Sequence, residues 1–357
     1  MRILIFGFLF ILLSSCNEQM KTNLTPKPKA FGKMNSIVVL ADKNIIDSPV
    51  KDSLEMYFES SYPVMPAPEP MFDLRYMTMD DLLTDKLKKE LRTYLVLVNL
   101  NDPNSPVSRM IQQDLGPEKF RQVMEEGKNN IAYGSNKWAQ GQIIIYLMGK
   151  GMDGLVNAIR AQYPNVAKKF NDHDEPQLHA NLYGSAGINN GGNEQIKSQF
   201  GIDLSLPSTF AKANTVDDDN ILWYVRNLKE LTQHIVVRKF SYTSQKQFSK
   251  DSIIQMRDTY GAKYISSNIE GSYMVTQDKE LPVFDYSAKV DNAFAREVRG
   301  VWELENDFKG GPFVTFLIHN EKKNEVIFID GFVFGPGATK REAIQQLAYI
   351  VKKAKIL

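Results

Sequence analysis

The densest run of side chains that could do chemistry is Arg296 to Phe313, which reads Arg-Glu-Val-Arg-Gly-Val-Trp-Glu-Leu-Glu-Asn-Asp-Phe-Lys-Gly-Gly-Pro-Phe. Two carboxylates can divide general-acid and general-base work, and Glu303 and Asp307 are the pair a hydrolase would use here. Strand alternation puts Arg296, Val298, Gly300, Trp302 and Leu304 on a greasy face and Glu297, Arg299, Val301, Glu303 and Glu305 on a solvated one. Gly310-Gly311-Pro312 then reads as a hairpin loop. Downstream, Val326, Phe328, Asp330, Phe332 and Phe334 alternate, which sets one acid in an apolar row. A buried carboxylate must find donors or a cation. Arg296 is the candidate partner if the two apolar faces coincide; the plainer alternative is a bulge at Asp330-Gly331 that turns the acid to water. Arg296, Trp302, Glu303, Asp307 and Asp330 thus form the candidate ligand or structural cluster, and no residue is assigned a catalytic role.

Other motifs carry less. Gly149-Lys150-Gly151-Met152-Asp153-Gly154 matches the glycine spacing of a dinucleotide fingerprint between a strand and a helix. The fingerprint also needs an acid closing a following strand, whereas Asp172 and Asp174 fall in a polar segment, so these glycines simply turn the chain into a helix. His173 and His179 stand near Asp172, Asp174 and Glu175. Six helical positions are about 600° of rotation and Pro176 intervenes, so the segment reads as a solvated helix break. His234 and His319 sit in strands without a triad neighbour. No metal and no cofactor are expected.

Cys16 is the single cysteine of the chain. Before it, Arg2 is followed by Ile3 to Leu13, apolar except for Gly7. Eleven helical residues rise about 16 Å, short of the roughly 30 Å hydrocarbon core, so residues 1–15 are expected to be a removable export signal peptide. Leu13-Ser14-Ser15-Cys16 resembles the bacterial lipobox, which implies cleavage before Cys16 and acylation of its thiol. Two or three acyl chains anchor stably where one does not. Acylation would also leave no thiol for a disulfide, a nucleophile or a metal site. Asn17 is not the aspartate associated with inner-membrane retention, and Glu18 is the one acid close by, so the expected anchor is the outer membrane, facing the periplasm. The expected partners are the lipid bilayer, through Cys16, and an envelope protein.

Lysine plus arginine number 43 against 42 acidic residues, and loss of Arg2 evens them. That balance, with no basic run, excludes nucleic acid as a partner. At 357 residues, 43% hydrophobic and 24% charged, the chain has material for two globular domains.

These side chains must be positioned by the elements around them. Residues 16–35 are polar and proline-punctuated, a lipidated cysteine and flexible tether. From residue 36 to 185 strands and helices alternate in a mixed α/β domain. Ser36 to Ala41 and Thr93 to Leu100 are buried strands, and Ser48-Pro49 and Ser105-Pro106 open helices. Pro63, Pro66, Pro68 and Pro70 forbid regular structure, and Thr78 caps a helix bearing Leu83 and Leu87. Gly184 to Asn193, with four glycines and three asparagines, is the domain boundary. Residues 192–357 then read as an antiparallel-sheet domain with strands at Asp203–Leu206, Ile221–Arg226, His234–Tyr242, Gly271–Thr276, Arg296–Leu304, Phe313–His319 and Val326–Phe334. A helix from Ser249 to Tyr260 interrupts them, and Thr339-Lys-Arg-Glu342 is a capping box for the closing helix. The fold class is α+β, with an α/β/α sandwich in the second half.

Phe200-Gly201 before a short strand, Pro207, a strand with Trp223, and a final strand leading into an amphipathic helix resemble the Mog1/PsbP-like layout. Asn136-Lys137-Trp138-Ala139, Trp302-Glu303-x-Glu305-Asn306-Asp307-Phe308, Gly310-Gly311-Pro312-Phe313 and Asp330-Gly331-Phe332-Val333, with the lipobox, are similar to an uncharacterised lipoprotein family of Bacteroidota, a domain of unknown function. The resemblance implies export and a fold used for binding, and carries no site residues. The expected function is therefore a membrane-anchored, non-enzymatic binding or adaptor protein of the envelope. Its alternatives are an envelope hydrolase using carboxylates of the Trp302 to Pro312 segment, and a structural spacer.

Overall fold

The computed structural model describes residues 26–126, 130–213 and 220–357; the leader, Cys16 and the start of the tether lie outside them. Two compact units divide the chain. The first holds residues up to Phe58 together with Phe72–Asn171, and the second holds Glu59–Met71 and Asp172–Leu357. Among the described residues no helix is long and apolar enough to cross a membrane.

The first unit runs β1 (Ser36–Leu40), α1 (Lys43–Ile46), α2 (Pro49–Phe58), β2 (Asp73–Met77), α3 (Met79–Thr84), β3 (Thr93–Asn99), α4 (Pro106–Leu115), α5 (Pro117–Glu126), β4 (Ile131–Ser135), β5 (Ile143–Gly149) and α6 (Gly151–Tyr183). Residues 151–171 of α6 belong to this unit and the remainder to the second. The sheet order is β2-β1-β3-β5-β4, parallel except for β4 against β5. Consecutive residues of β1 and β3 are all buried from Ile37 to Leu40 and from Tyr94 to Val98, the signature of strands covered on both faces. Val38, Tyr94, Val96 and Ile144 pack with Val107, Ile111 and Phe120 of α4 and α5. Ring contacts Phe58–Tyr163 at 5.0 Å and Phe72–Phe170 at 6.2 Å fasten α6. The turn into α6 requires glycine at 149, where a Cβ would stand 2.3 Å from the Leu155 amide.

Three local expectations fail here. Pro28 to Phe31, expected in the tether, instead bond to the unit's edge: Gln140 donates to the Pro28 carbonyl, and Ala30 and Phe31 donate to Gln140 and Glu90. Leu83 and Leu87 are exposed at 62% and 58% while Leu82 is buried, because α3 ends at Thr84 and a 3-10 turn follows. Helix α6 does not break at Pro176. A helical proline forgoes one backbone bond and costs roughly 3 kcal/mol, but Val166 and Phe170 before it and Leu182 after it are buried, which offsets the loss.

The second unit comprises α7 (Asn190–Phe200), β6 (Ile202–Asp203), β7 (Ala211–Lys212), β8 (Ile221–Asn227), β9 (Thr232–Ser241), α8 (Lys250–Tyr264), β10 (Tyr273–Gln277), β11 (Phe284–Val290), β12 (Ala293–Glu305), β13 (Asp307–Asn320), β14 (Glu325–Phe334), α9 (Arg341–Lys352) and β15 (Lys355–Ile356). An antiparallel sheet is ordered β10-β12-β13-β14-β9-β8-β7, with β11 also on β12. Alternation divides the strands cleanly. Ile235, Val237, Val314, Phe316, Ile327 and Ile329 face α7 and α9, while Val236, Val298, Phe313, Leu317, Phe328 and Phe332 face α8. The result is a helix, sheet, helix sandwich, and the whole chain is α+β.

The inserted segment Glu59–Met71 packs as irregular chain on this unit. Tyr62 enters the core on the α9 side, and both oxygens of Glu69 accept from the Lys340 and Arg341 amides at 2.7 and 2.8 Å. Glu69 thereby replaces the expected Thr339 capping box; α9 starts at Arg341 without a side-chain cap from its own N-cap residue. Gly310-Gly311-Pro312 is not a loop but part of β13, paired with Glu303, Trp302 and Val301. A Cβ on Gly311 would sit 1.9 Å from the Val333 carbonyl oxygen, so the glycine serves close strand packing, and Asn306 with φ 59° makes the turn. The expected strand Asp203–Leu206 shrinks to Ile202–Asp203, which pairs with β15.

Candidate functional site

Asp330 is fully buried on β14, and β14 pairs in register along its length with no bulge. Its partner is not Arg296. Arg257 of α8, also fully buried, forms the ion pair at 3.2 Å. Tyr260 donates to one carboxylate oxygen and Thr315 to the other. Arg257 lies 4.0 Å from the Phe313 ring centroid and donates to Thr276, whose hydroxyl donates to Asp258 at 2.7 Å. Burial, reinforced by the Asp330 charge, pushes the Tyr260 hydroxyl well above its ordinary range. Burial likewise raises the Asp258 carboxyl. Asp258 opens with Asp251 and Asp278 on a shallow hollow of about 400 Å³.

Arg296 shares the α8 face but turns to the sheet edge, where it pairs with Asp285 and donates to Ser287 at 3.1 Å. From β12 it stands opposite Leu317, while Thr315 is the residue that faces Asp330, so Arg257 reaching down from the helix is nearer. Trp302 is buried, donates to the Val333 carbonyl at 3.2 Å and meets Phe332 edge-on at 5.6 Å. Glu303 points to the other face and accepts from Gln277 at 3.1 Å. Asp307, opposite Leu304, is held below its ordinary value by bonds from Ser267 and Lys309. Trp302 and Asp330 therefore share one apolar layer, Arg296 and Asp307 lie at its margins, and Glu303 is on the reverse. A paired-carboxylate site of Glu303 and Asp307 does not form.

A second charged group on the opposite face is structural in form. Glu297 accepts from Arg299 at 2.6 Å and from Lys352 at 2.9 Å. Burial alone would raise the Glu297 carboxyl, but these cations outweigh it and hold it below its ordinary value. Arg299 also donates to the Tyr62 hydroxyl at 2.9 Å.

The first unit carries a crevice that the sequence reading missed. β1 lies between β2 and β3 in the sheet, so the connection after β1 leads to one side and the connection after β2 crosses to the other, and at such a switch point the carboxyl ends of the parallel strands leave a hollow. Here the hollow measures about 460 Å³ and is lined by Asp42 and Lys43 after β1, Thr78 and Asp80 after β2, and Asp102 and Ser105 after β3. The helix amides around it are already answered. Asp42 accepts from the Val107 amide at 3.4 Å and Ser105 from Ser108 at 3.1 Å, at the start of α4. Thr78 and Asp81 close a capping box on α3. An anion would thus compete with side chains for the α4 amides and meet three carboxylates. Asp80 and Asp102, with Asn44 and Asn104, are the groups left to meet a ligand. Among the described residues no three His, Cys, Asp or Glu groups stand so as to hold a metal ion.

Residues 30–183 match the family model of a domain of unknown function, DUF8532, and residues 190–353 match that of another, DUF4837. Each half of the chain is thus similar to a domain of unknown function. No curated protein matches it in sequence. Among solved structures, a point mutant of the Mog1 protein and the Saccharomyces cerevisiae Ran-binding protein Mog1p each give a TM-score of 0.29. They are 12% and 13% identical, and cover 44% of this chain and 90% of their own. The human StarD13 lipid transfer and protein localization domain gives 0.21 at 9% identity, covering 45% of this chain and 93% of its own.

The crevice belongs to the DUF8532 region and the buried Arg257–Asp330 pair to the DUF4837 region. Both had a sequence signal. Ile253, Arg257 and Tyr260 are spaced i, i+4, i+7, which marks Arg257 as a cation on a buried helical stripe. Asp42, Thr78 and Asp102 each follow a strand end within three residues.

Proposed function

We propose that this chain is an exported lipoprotein, held at the envelope membrane by acyl chains on Cys16, that binds a polar, positively charged ligand at the strand ends of its first unit. The reading rests on one observation: a crevice of about 460 Å³ at the switch point of a parallel sheet, lined by three aspartates against one lysine. Binding rather than turnover is supported by the hydroxyls there. Thr78 and Ser105 both serve as helix caps, and neither His nor Cys lines the hollow. The Leu-Ser-Ser-Cys pattern behind a short apolar leader supports the anchor, with the outer membrane facing the periplasm as its place and a basic segment of an envelope protein as a fitting natural ligand.

Arginine amide is the simplest probe of the crevice. Calorimetry on the full chain in detergent should detect its binding, and Asp80→Asn with Asp102→Asn should weaken it about tenfold or more, since a hydrogen bond to a charged group contributes roughly 1.5–3 kcal/mol. Unchanged affinity in the double variant, or no binding by the unaltered chain, overturns the assignment.

A further inference from the structure

We infer that β11 is a self-complementary edge through which two copies of this chain pair. Among the described residues β11 is hydrogen-bonded to β12 alone, along a continuous register from Phe284–Arg299 to Val290–Ala293. Its outer edge is therefore a row of backbone donors and acceptors, the kind of edge proteins ordinarily blunt with proline, a bulge or an unpaired lysine. Phe284 and Tyr286 are exposed at 39% and 42%, and their rings lie nearly parallel at 6.4 Å.

The charges select the occupant. In an antiparallel pair about a two-fold axis at Ser287, Asp285 of each copy faces Lys289 of the other and Tyr286 faces Ala288, all short of Val290, where the strand becomes buried. Shifting the axis by one residue puts Asp285 or Lys289 opposite Ser287, and half-residue shifts put Lys289 opposite Phe284 or Tyr286. One register pairs both charges, and the same register places the small Ala288 against the large Tyr286. Asp285 is already held in place by Arg296, which also donates to Ser287, so the acid is preset for a second cation. Lys289, which would repel a foreign strand, becomes the group that recognises a second copy.

The axis residue gives a direct test. Directly opposed residues of an antiparallel pair lie about 4.5–5.5 Å apart at Cα, within disulfide reach. Full-length Ser287→Cys, purified in detergent and mildly oxidised, should run as a disulfide-linked dimer on a non-reducing gel, whereas Lys250→Cys and the unaltered chain should not. By sedimentation, Lys289→Asp should weaken association about tenfold and Lys289→Arg should preserve it, both with unchanged circular dichroism. Failure of Ser287→Cys to crosslink, crosslinking by the controls to the same extent, or equal association of Lys289→Asp and the unaltered chain overturns the inference.

Discussion

Replacing Asp330 by asparagine should be the most damaging conservative change in the second unit. The carboxylate has no exposure and holds Arg257, Tyr260 and Thr315. Asparagine keeps the volume and one acceptor oxygen but removes the charge, which leaves the guanidinium of Arg257 buried with Asp258, 4.0 Å away, as its remaining carboxylate and with Thr276 and the Met274 sulfur as neutral partners. Removing one partner of a buried pair costs about 3–5 kcal/mol, whereas replacing both by apolar groups is often neutral. At roughly 2–4 °C per kcal/mol for a unit of 150–250 residues, the midpoint should fall by about 6–20 °C. The assay is thermal and urea unfolding followed by tryptophan fluorescence in a Trp138→Phe background, where Trp223 and Trp302 report the second unit alone. The double variant Asp330→Leu with Arg257→Met should recover most of the loss. A change below about 1 kcal/mol in Asp330→Asn, or strictly additive losses in the double variant, would refute the pairing as the organising contact of this layer.

His234 and the helix cap give two further outcomes. Burial lowers the His234 imidazole to about 4, and its ring accepts from Trp223 Nε1 at 3.2 Å while stacking on Phe332 at 4.4 Å. The unfolded chain, near 6.5, binds more protons than the native one between the two values, so about 3 kcal/mol of stability present above pH 6.5 should drain away as pH falls toward 4. His234→Gln should remove that slope, and a flat profile in the unaltered chain would contradict it. Glu69→Ala should cost about 1–2 kcal/mol by freeing the first amides of α9, read as a lower urea midpoint with fluorescence and as faster amide exchange at Lys340 and Arg341.

Much of the architecture was legible because burial and local chemistry agreed. The apolar runs at Ser36 to Ala41 and Thr93 to Leu100, and the serine-proline starts at Ser48 and Ser105, coincide with β1, β3, α2 and α4. The alternation of Arg296 to Leu304 put Trp302 on the right face. What escaped was set by distant chain. The β11 strand mixes exposed aromatics with Asp285 and Lys289, so its period does not declare a core. Glu69 displaced the Thr339 box from 270 positions away, and α6 ran through Pro176 because its flanking stripe is buried. Arg257 won Asp330 from Arg296 because helix α8 lies over the sheet's centre while Arg296 is drawn to the edge by Asp285. The crevice escaped because Asp42, Asp80 and Asp102 look like ordinary turn residues until three strands set them side by side.

Retention at a bilayer by acyl chains on Cys16 is tested most directly by the intact mass of the chain purified from membranes. The account predicts a polypeptide beginning at Cys16, heavier than its sequence by two or three acyl chains, and released from the membrane by Cys16→Ala. A chain that retains Met1, or one that begins at residue 16 with an unmodified thiol and partitions freely into buffer, would contradict it.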